Sequence, residues 1–242
     1  MKALKICHFT SVHSNSDIRI FVKECSTLAQ AGYVVYLVAQ GESRIENGVH
    51  VIGLGKIPQG RKRRMRDFAK AIYEKAKSLD CDIYHFHDPE LLPYGVKLKK
   101  MGKKVIFDSH EDVPAQILDK DWIPYPLRKI VSVIYKTYET YAVGKFDAVV
   151  AATPHIGEMF KGRAQRVVVV NNYPKLDDIQ FHDTPFTERE RIVCYAGGID
   201  ELRGEKVMVE AMKGVEGTLI IAGDHKEEII VQPGGQNRIY RS

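Results

Sequence analysis

The 242-residue sequence predicts an α/β protein: a doubly wound parallel sheet followed by a second, incomplete unit of the same kind. Three observations carry this prediction. Short apolar runs alternate with segments whose apolar residues recur every three or four positions, the strand–helix–strand order of a parallel sheet. The run Val105-Ile106-Phe107 shows no period-two alternation, as suits a strand covered on both faces. Three apolar runs end in histidine and carboxylate. Ile6-Cys7-His8-Phe9 leads to the stretch Thr10 through Arg19, Ile83-Tyr84-His85-Phe86 runs into His87-Asp88-Pro89-Glu90, and the 105–107 run ends in Asp108-Ser109-His110-Glu111-Asp112. Ligands of open α/β sheets bind just outside the carboxyl ends of the strands, and right-handed crossovers bring those ends to one edge.

Leu4 to Thr10 is the first expected strand, and Val12 to Asp17 a polar loop. Ile18 to Ala31 places Ile18, Phe21, Val22, Cys25, Leu28 and Ala29 on one helical face, with Asp17 as N-cap and Gly32 as stop. Strands follow at Val34–Ala39 and, after an Asn47-Gly48 turn, at Val49–Leu54. Arg61 to Leu79 is a helix, Ile83 to Phe86 a strand, Leu91 to Met101 a helix and Val105 to Asp108 a strand. Leu127 to Val143 is a long helix whose Tyr135, Tyr138 and Tyr141 suggest a packing surface. Phe146–Ala151 is a strand, Thr153-Pro154 opens a short helix, and Arg166–Val170 is a strand ending at Asn171-Asn172-Tyr173-Pro174.

A complete first domain is therefore expected over 1–175, and a polar linker holding Pro185 over 176–190. A second domain is expected over 191–231, built from a strand at Ile192–Ala196, a helix at Glu205–Met212 and a strand at Thr218–Ala222. An irregular tail is expected over 232–242. One βαβ unit cannot cover both faces of its own sheet, so the second domain reads as cut short.

Composition narrows the function classes. The apolar fraction of 44% and charged fraction of 28% are those of an ordinary globular protein. Cys7, Cys25, Cys81 and Cys194 are scattered without metal-finger spacing, which suits reduced thiols and a cytoplasmic protein. No apolar run approaches the ~20 residues needed to span a bilayer. The net charge of +5 is mild. Its densest cluster, Arg61, Lys62, Arg63, Arg64 and Arg66, reads as a solvated basic face or a dock for anionic lipid headgroups at the inner face of the membrane. Aromatic residues are not interleaved with these bases, so nucleic acid is not expected as a partner.

Histidine and carboxylate at strand ends suit proton transfer near neutral pH, or the holding of a substrate hydroxyl. His110 with Glu111 is the best such pair, against a structural hydrogen-bonded histidine. His85 and His87 point to the same side of a strand, as in some metallohydrolases. However, His85 and His8 lie inside apolar strands and read as hydrogen-bonded core histidines, so no metal is expected. There is no GxSxG elbow for a serine hydrolase and no GxGxxG fingerprint for an NAD enzyme. Gly197-Gly198 after a strand, with Arg203-Gly204 before a helix, suits a phosphate.

In order along the chain come His13…Asp17-Ile18-Arg19-Ile20-Phe21…Glu24, Tyr84-His85-Phe86-His87-Asp88-Pro89-Glu90-Leu91-Leu92-Pro93, Asp108-Ser109-His110-Glu111-Asp112, Asn171-Asn172-Tyr173-Pro174, and Tyr195-Ala196-Gly197-Gly198-Ile199…Arg203-Gly204. Together they resemble the bacterial family-4 glycosyltransferases of capsule, exopolysaccharide and lipopolysaccharide assembly. The resemblance covers residues 3 to about 224 and implies a GT-B fold of two Rossmann-like domains. It implies retaining sugar transfer from a nucleotide sugar to a saccharide or lipid-linked acceptor, with no metal and no cofactor beyond that donor substrate.

Carried over, the resemblance places His110 beside the reacting sugar as the catalytic residue. It puts His13, Asp17, Arg19, His87, Asp88, Glu90 and Glu111 on the acceptor side, and Gly197, Gly198, Arg203 and Gly204 on the donor side. Position 198 is Gly where the wider family often has Arg. The family's later pair of spaced glutamates has no counterpart, because Glu227-Glu228 are adjacent and early. The expectation is a C-terminally truncated enzyme, weak or inactive as this chain alone. The alternatives are a non-catalytic sugar or assembly module completed by a partner chain or by self-association through an exposed sheet edge, and a metal-dependent hydrolase.

Overall fold

Runs of Val, Ile, Leu and aromatic residues form the strands, and helices with one apolar stripe cross between them. The computed structural model describes residues 3–57, 59–60, 63–120, 122–176, 184–199 and 203–223, and the backbone of 237–240. The chain divides into two compact units, Met1–Pro174 and Lys175–Ser242. In the first unit the strands are β1 Lys5–Ser14, β2 Val34–Gln40, β3 Arg44–Glu46, β4 Val49–Gly53, β5 Ile83–Phe86, β6 Lys104–Ser109, β7 Ala148–Ala151 and β8 Val167–Val169. They form one sheet in the order β3-β4-β2-β1-β5-β6-β7-β8. Neighbours run parallel except β3 and β4, which form a hairpin.

The crossovers are α1, a wide-turned helix Ile18–Cys25 continuing as Ser26–Gln30, then α2, Arg63–Phe68 with Ala69–Ser78, then α3 Leu92–Lys100. The short α4 Val113–Leu118, the long α5 Tyr125–Val143 and α6 Pro154–Phe160 follow. Asp17 caps α1 by accepting the Ile20 N–H at 2.9 Å, and Thr153 caps α6 through the Ile156 N–H at 3.2 Å.

The sheet separates two cores. Alternate residues of β2 show the division: Val35, Leu37 and Ala39 join Ile20, Phe21 and Cys25 of α1, while Val38 joins the larger core. That larger core holds Phe9, Tyr84, Phe86, Phe107, Phe146 and Phe160 with the apolar faces of α2 and α3. Gly95 lets α3 approach: a Cβ there would meet Phe86 Cε1 at 2.6 Å. Cys7, Cys25 and Cys81 are buried free thiols, and Cys194 is exposed. Among the described residues no helix is long and apolar enough to cross a membrane.

In the second unit β9 Ile192–Ala196, α7 Glu205–Ala211, β10 Thr218–Ala222 and β11 Asn237–Tyr240 give a parallel three-stranded sheet, order β11-β10-β9. Its core is small, centred on Ile199, Leu219 and Ile221. Gly223 permits a close crossing, since a Cβ there would meet the Gly197 carbonyl oxygen at 1.8 Å.

Several expectations need correction. The tail expected to be irregular over 232–242 holds β11, paired to β10 from Leu219↔Asn237 to Ala222↔Tyr240. β1 runs on to Ser14 through the expected loop, and β3 and α4 were not expected. β3 is only three residues long with two charges, too short for a periodicity. Its hairpin is nonetheless signalled by Asn47-Gly48, both at positive φ (51° and 76°). Of the basic cluster, Arg61 and Lys62 lie outside the described residues. Arg64 turns to Glu90, its Nε 3.4 Å from Oε1.

Candidate active site

Strand alternation places the polar side chains. On β1, Cys7 and Phe9 face the larger core, so His8 faces α1; on β5, Tyr84 and Phe86 do the same, so His85 faces α1. His8 and His85 are register partners on adjacent strands. Asp108 of β6 alternates with Phe107 and joins them on that side. From above, α1 lowers Arg19 and Glu24 into the same space. The result is a buried layer of His8, His85, His87, Asp108, Glu24 and Arg19 beneath the carboxyl edge of the sheet. The rings of His8, His85 and His87 lie 4.4 to 5.3 Å apart. His8 Nδ1 and His87 Nε2 are 3.1 Å apart.

Arg19 holds this layer together. Its Nη2 donates to Asp108 Oδ1 at 2.9 Å, its Nε to Oδ2 at 3.1 Å, and its Nη1 to the Val170 carbonyl at 2.7 Å. Its Nε also lies 3.2 Å from Glu24 Oε1. Burial lowers the His8 and His87 pKa values and pulls His85 down to about 3, so these rings are neutral. Burial, with the Asp108 charge second, pushes Glu24 up to about 10. Burial works against ionised Asp108, but hydrogen bonds from His110 and His87 outweigh it and hold the group well below its usual range. The layer thus combines an ionised aspartate, a guanidinium and a protonated glutamic acid.

Above it lies an accessible rim. His13, at the end of β1, has Nδ1 3.2 Å from Asp17 Oδ2 and Nε2 3.6 Å from Asp88 Oδ1. Its ring centroid is 5.5 Å from that of His110. The hydrogen bond to Asp17 raises the His13 pKa against the opposing effect of burial. Burial would raise Asp17, yet the bonds from His13 and the Ile20 N–H bring it down to about 2. His110 Nε2 is 3.2 Å from Arg19 Nε and 3.3 Å from Asp108 Oδ1. Neutral or protonated, His110 therefore has an underlying partner for Nε2, which leaves Nδ1 for a ligand. Glu111 is exposed beside it.

The structure therefore gathers His13, Asp17, His110 and Glu111 at one edge. It places three other expected acceptor contacts underneath: Arg19 is 6% exposed, His87 3% and Asp88 2%. These three position the rim instead. Asp88 accepts from Thr10 Oγ1 at 2.7 Å and the Ser11 N–H at 2.5 Å, fixing the end of β1. Glu90 accepts from Ser11 Oγ at 3.1 Å, and burial raises its pKa. His8 is the hydrogen-bonded core histidine expected, through Nδ1 and His87, while Nε2 of His8 and of His85 is buried without a hydrogen-bond partner. Sequence reasoning gave no site role to Glu24, Asp108 or His8, and weighed His85 only as a metal ligand. Period-two alternation across neighbouring strands is the signal that groups the last three.

Glu24, His85, His87 and Asp108 each offer one atom within 4.8 Å of the others, a donor set that suits a divalent cation in kind. The cation the structure gives this pocket is the Arg19 guanidinium, which already occupies both oxygens of Asp108. A second cation there meets it at short range in a low-dielectric setting.

In the second unit, the Gly197 N–H donates to the Ala222 carbonyl at 2.9 Å, and Tyr195 Oη to the Gly198 carbonyl at 2.9 Å. Arg203 packs along Gly198, where a Cβ would lie 3.5 Å from its Nε. Gly204 is left-handed (φ 78°) at the start of α7.

The family model for Glycosyltransferase Family 4 matches residues 20–173, well over half of the chain. This chain belongs to glycosyltransferase family 4. Its fold is the α/β fold of GT-B glycosyltransferases. A sucrose-phosphate synthase from Thermosynechococcus elongatus aligns with TM-score 0.67 at 16% identity, over 90% of this chain and 62% of that one. Arabidopsis thaliana UGT89C1, complexed with UDP-L-rhamnose, aligns with TM-score 0.59 at 14% identity, over 100% and 69%. The lipopolysaccharide outer core galactosyltransferase WaaB, in its apo form, aligns with TM-score 0.53 at 15% identity, over 91% and 61%. This family-4 chain thus spans less than two thirds of the synthase and of WaaB. No curated protein sequence matches it.

Proposed function

We propose that this family-4 chain serves the transfer of a sugar from a nucleotide-sugar donor to a hydroxyl of a saccharide or lipid-linked acceptor in surface-polysaccharide assembly. The reaction is retaining, runs in the cytoplasm and needs no metal. The bond from the anomeric carbon to the diphosphate breaks, a bond to the acceptor oxygen forms, and the hydroxyl proton leaves with the nucleoside diphosphate or to the rim. The observation carrying this reading is His110: its Nε2 is held by Arg19 and Asp108 while its ring faces His13 across 5.5 Å. A histidine oriented this way presents Nδ1 to a sugar oxygen.

Asp17 and the exposed Glu111 supply carboxylate acceptors of the kind that hold sugar hydroxyls, and His13 adds an imidazole beside them. In the second unit, Gly197, Gly198, Arg203 and Gly204 are assigned to the donor diphosphate, where backbone N–H groups and a guanidinium suit an anion. Since the chain spans 62% of the synthase, turnover by these 242 residues alone is expected to be weak.

The test is a panel of UDP-, GDP- and ADP-sugars, followed by saturation-transfer NMR for binding and by release of nucleoside diphosphate with a saccharide acceptor. Binding of one class, with transfer that survives a chelator and yields the donor's anomeric configuration, supports the reading. Failure of every nucleotide sugar to bind or react ends it.

A further inference from the structure

Helix α5 is fastened to the first unit largely by polar contacts and turns much of its apolar surface to solvent. Of its 19 residues only Ser132, Glu139, Ala142 and Val143 are buried, and Tyr135 is partly covered by the larger core. Ser132 Oγ donates to the Pro114 carbonyl at 2.7 Å, and Arg163 Nη2 to Glu139 Oε2 at 2.6 Å. On the other side Leu127, Ile130, Ile134, Thr137 and Tyr141 follow one another at alternating spacings of three and four. That alternation is the seam along which two helices pack. Ile130 and Ile134 are 56% and 63% exposed, and Leu127 and Tyr141 are exposed beside them. Thr137 interrupts the apolar run, but its hydroxyl is already satisfied by the Val133 carbonyl at 2.8 Å.

Charge and area name the occupant. The positions bordering the seam are Val131 and Tyr138 on one side, Val133 and Thr140 on the other, and none is charged. Arg128 donates to the Ile123 and Leu118 carbonyls at 2.9 and 3.2 Å, and Glu139 is turned inward. Lys129 and Lys136 stand a further step around the helix. The face is therefore neutral and can meet an identical face without opposing like charges. Its first half is aliphatic and its second carries tyrosines. An antiparallel pair lays Tyr138 and Tyr141 of each copy on Ile130 and Leu127 of the other, with Ile134 at the two-fold axis. Covering these side chains on both copies removes roughly 1,000 Å² from water, the lower bound for a specific interface. We propose that α5 is the homodimer interface of this chain, two 127–141 stripes packing antiparallel about an axis through Ile134. An interface of this size is reversible, with a dissociation constant on the order of 10 µM. This inference does not depend on the transferase reading.

The full chain is followed by sedimentation equilibrium without lipid, from about 1 to about 200 µM, a range that brackets that constant. The expected result is a reversible monomer–dimer equilibrium. Ile134→Glu sets two like charges against each other at the axis and weakens the dimer at least about tenfold with unchanged circular dichroism, whereas Lys129→Ser with Lys136→Ser stays within about twofold. In a Cys194→Ser background, Ile134→Cys forms an intermolecular disulfide with diamide and Lys136→Cys does not. A monomer throughout the range, a dimer that survives Ile134→Glu, or failure of Ile134→Cys to cross-link overturns the proposal. A monomer whose stripe binds phosphatidylglycerol vesicles instead of a second copy also overturns it.

Discussion

His13 and His110 stand near the ends of the same sheet as His8, His85 and His87, but a few ångströms of depth give the two groups different chemistry. In the rim, Asp17 raises the His13 pKa and keeps the ring available as a cation. In the layer beneath, burial lowers all three histidines, and the charges there belong to Arg19 and Asp108. Identical residue types thus stand partly open to solvent above and as neutral buried wedges below. The lower layer holds His110 and the end of β1 in place.

The sharpest break of this contrast is Asp108→Ala, which leaves Arg19 buried without its bidentate partner. A loss of about 3–5 kcal/mol is expected, read as a fall in melting temperature of about 2–4 °C per kcal/mol. A fall under about 2 °C shows the layer to be readily resolvated. His110→Ala comes next: sugar transfer drops about 10²–10⁴-fold while the melting temperature stays nearly constant. A melting loss as large as that of Asp108→Ala would move His110 into the lower layer.

Asp17→Ala removes the α1 cap at about 1 kcal/mol and returns the His13 titration, followed by NMR, toward the ordinary histidine value of 6.5. The sign follows from the two shifts. Raised His13 contributes stability that is full below about 6.5 and is lost as pH rises through its folded value, while depressed Asp17 contributes stability present above about 4 and lost on the way down to about 2. The difference between wild type and variant is therefore greatest between about pH 4 and 6.5.

Near pH 5 the smallest effect is expected for Glu24→Gln, and it grows with pH. Glu24, pushed up to about 10, keeps its proton in the fold while the unfolded chain releases it above about 4.5, so wild type loses stability as pH rises across that span. The glutamine variant escapes this penalty, and its melting advantage should grow from pH 5 to pH 9. A constant difference across that range would place Glu24 in water.

Most of the first sheet is legible from its apolar runs, because strands covered on both faces need Val, Ile and aromatic residues whatever their neighbours. The strand-end residues are legible too, since His110 and His13 lie within a few residues of a run's end. Depth is not legible. Arg19, His87 and Asp88 carry the composition of a ligand edge, but the wide turns of α1 and the alternation of β5 turn them inward. α5 was read by its tyrosines as a packing surface; in the structure Tyr135 packs against the larger core beside Ala142 and Val143, while Tyr138 and Tyr141 are exposed. β11 was missed because Asn237 to Tyr240 is strand by pairing with β10 rather than by pattern.

The contacts of Arg19 also carry a kinetic consequence. Its partners Asp108 and Val170 lie 89 and 151 positions further along the chain. Such long loops close late, so a nascent polypeptide emerging from the ribosome cannot complete this set of contacts until Val170 has been synthesised and laid down. Removing it should leave the refolding rate almost untouched and accelerate unfolding, the kinetic signature of a bond absent from the transition state.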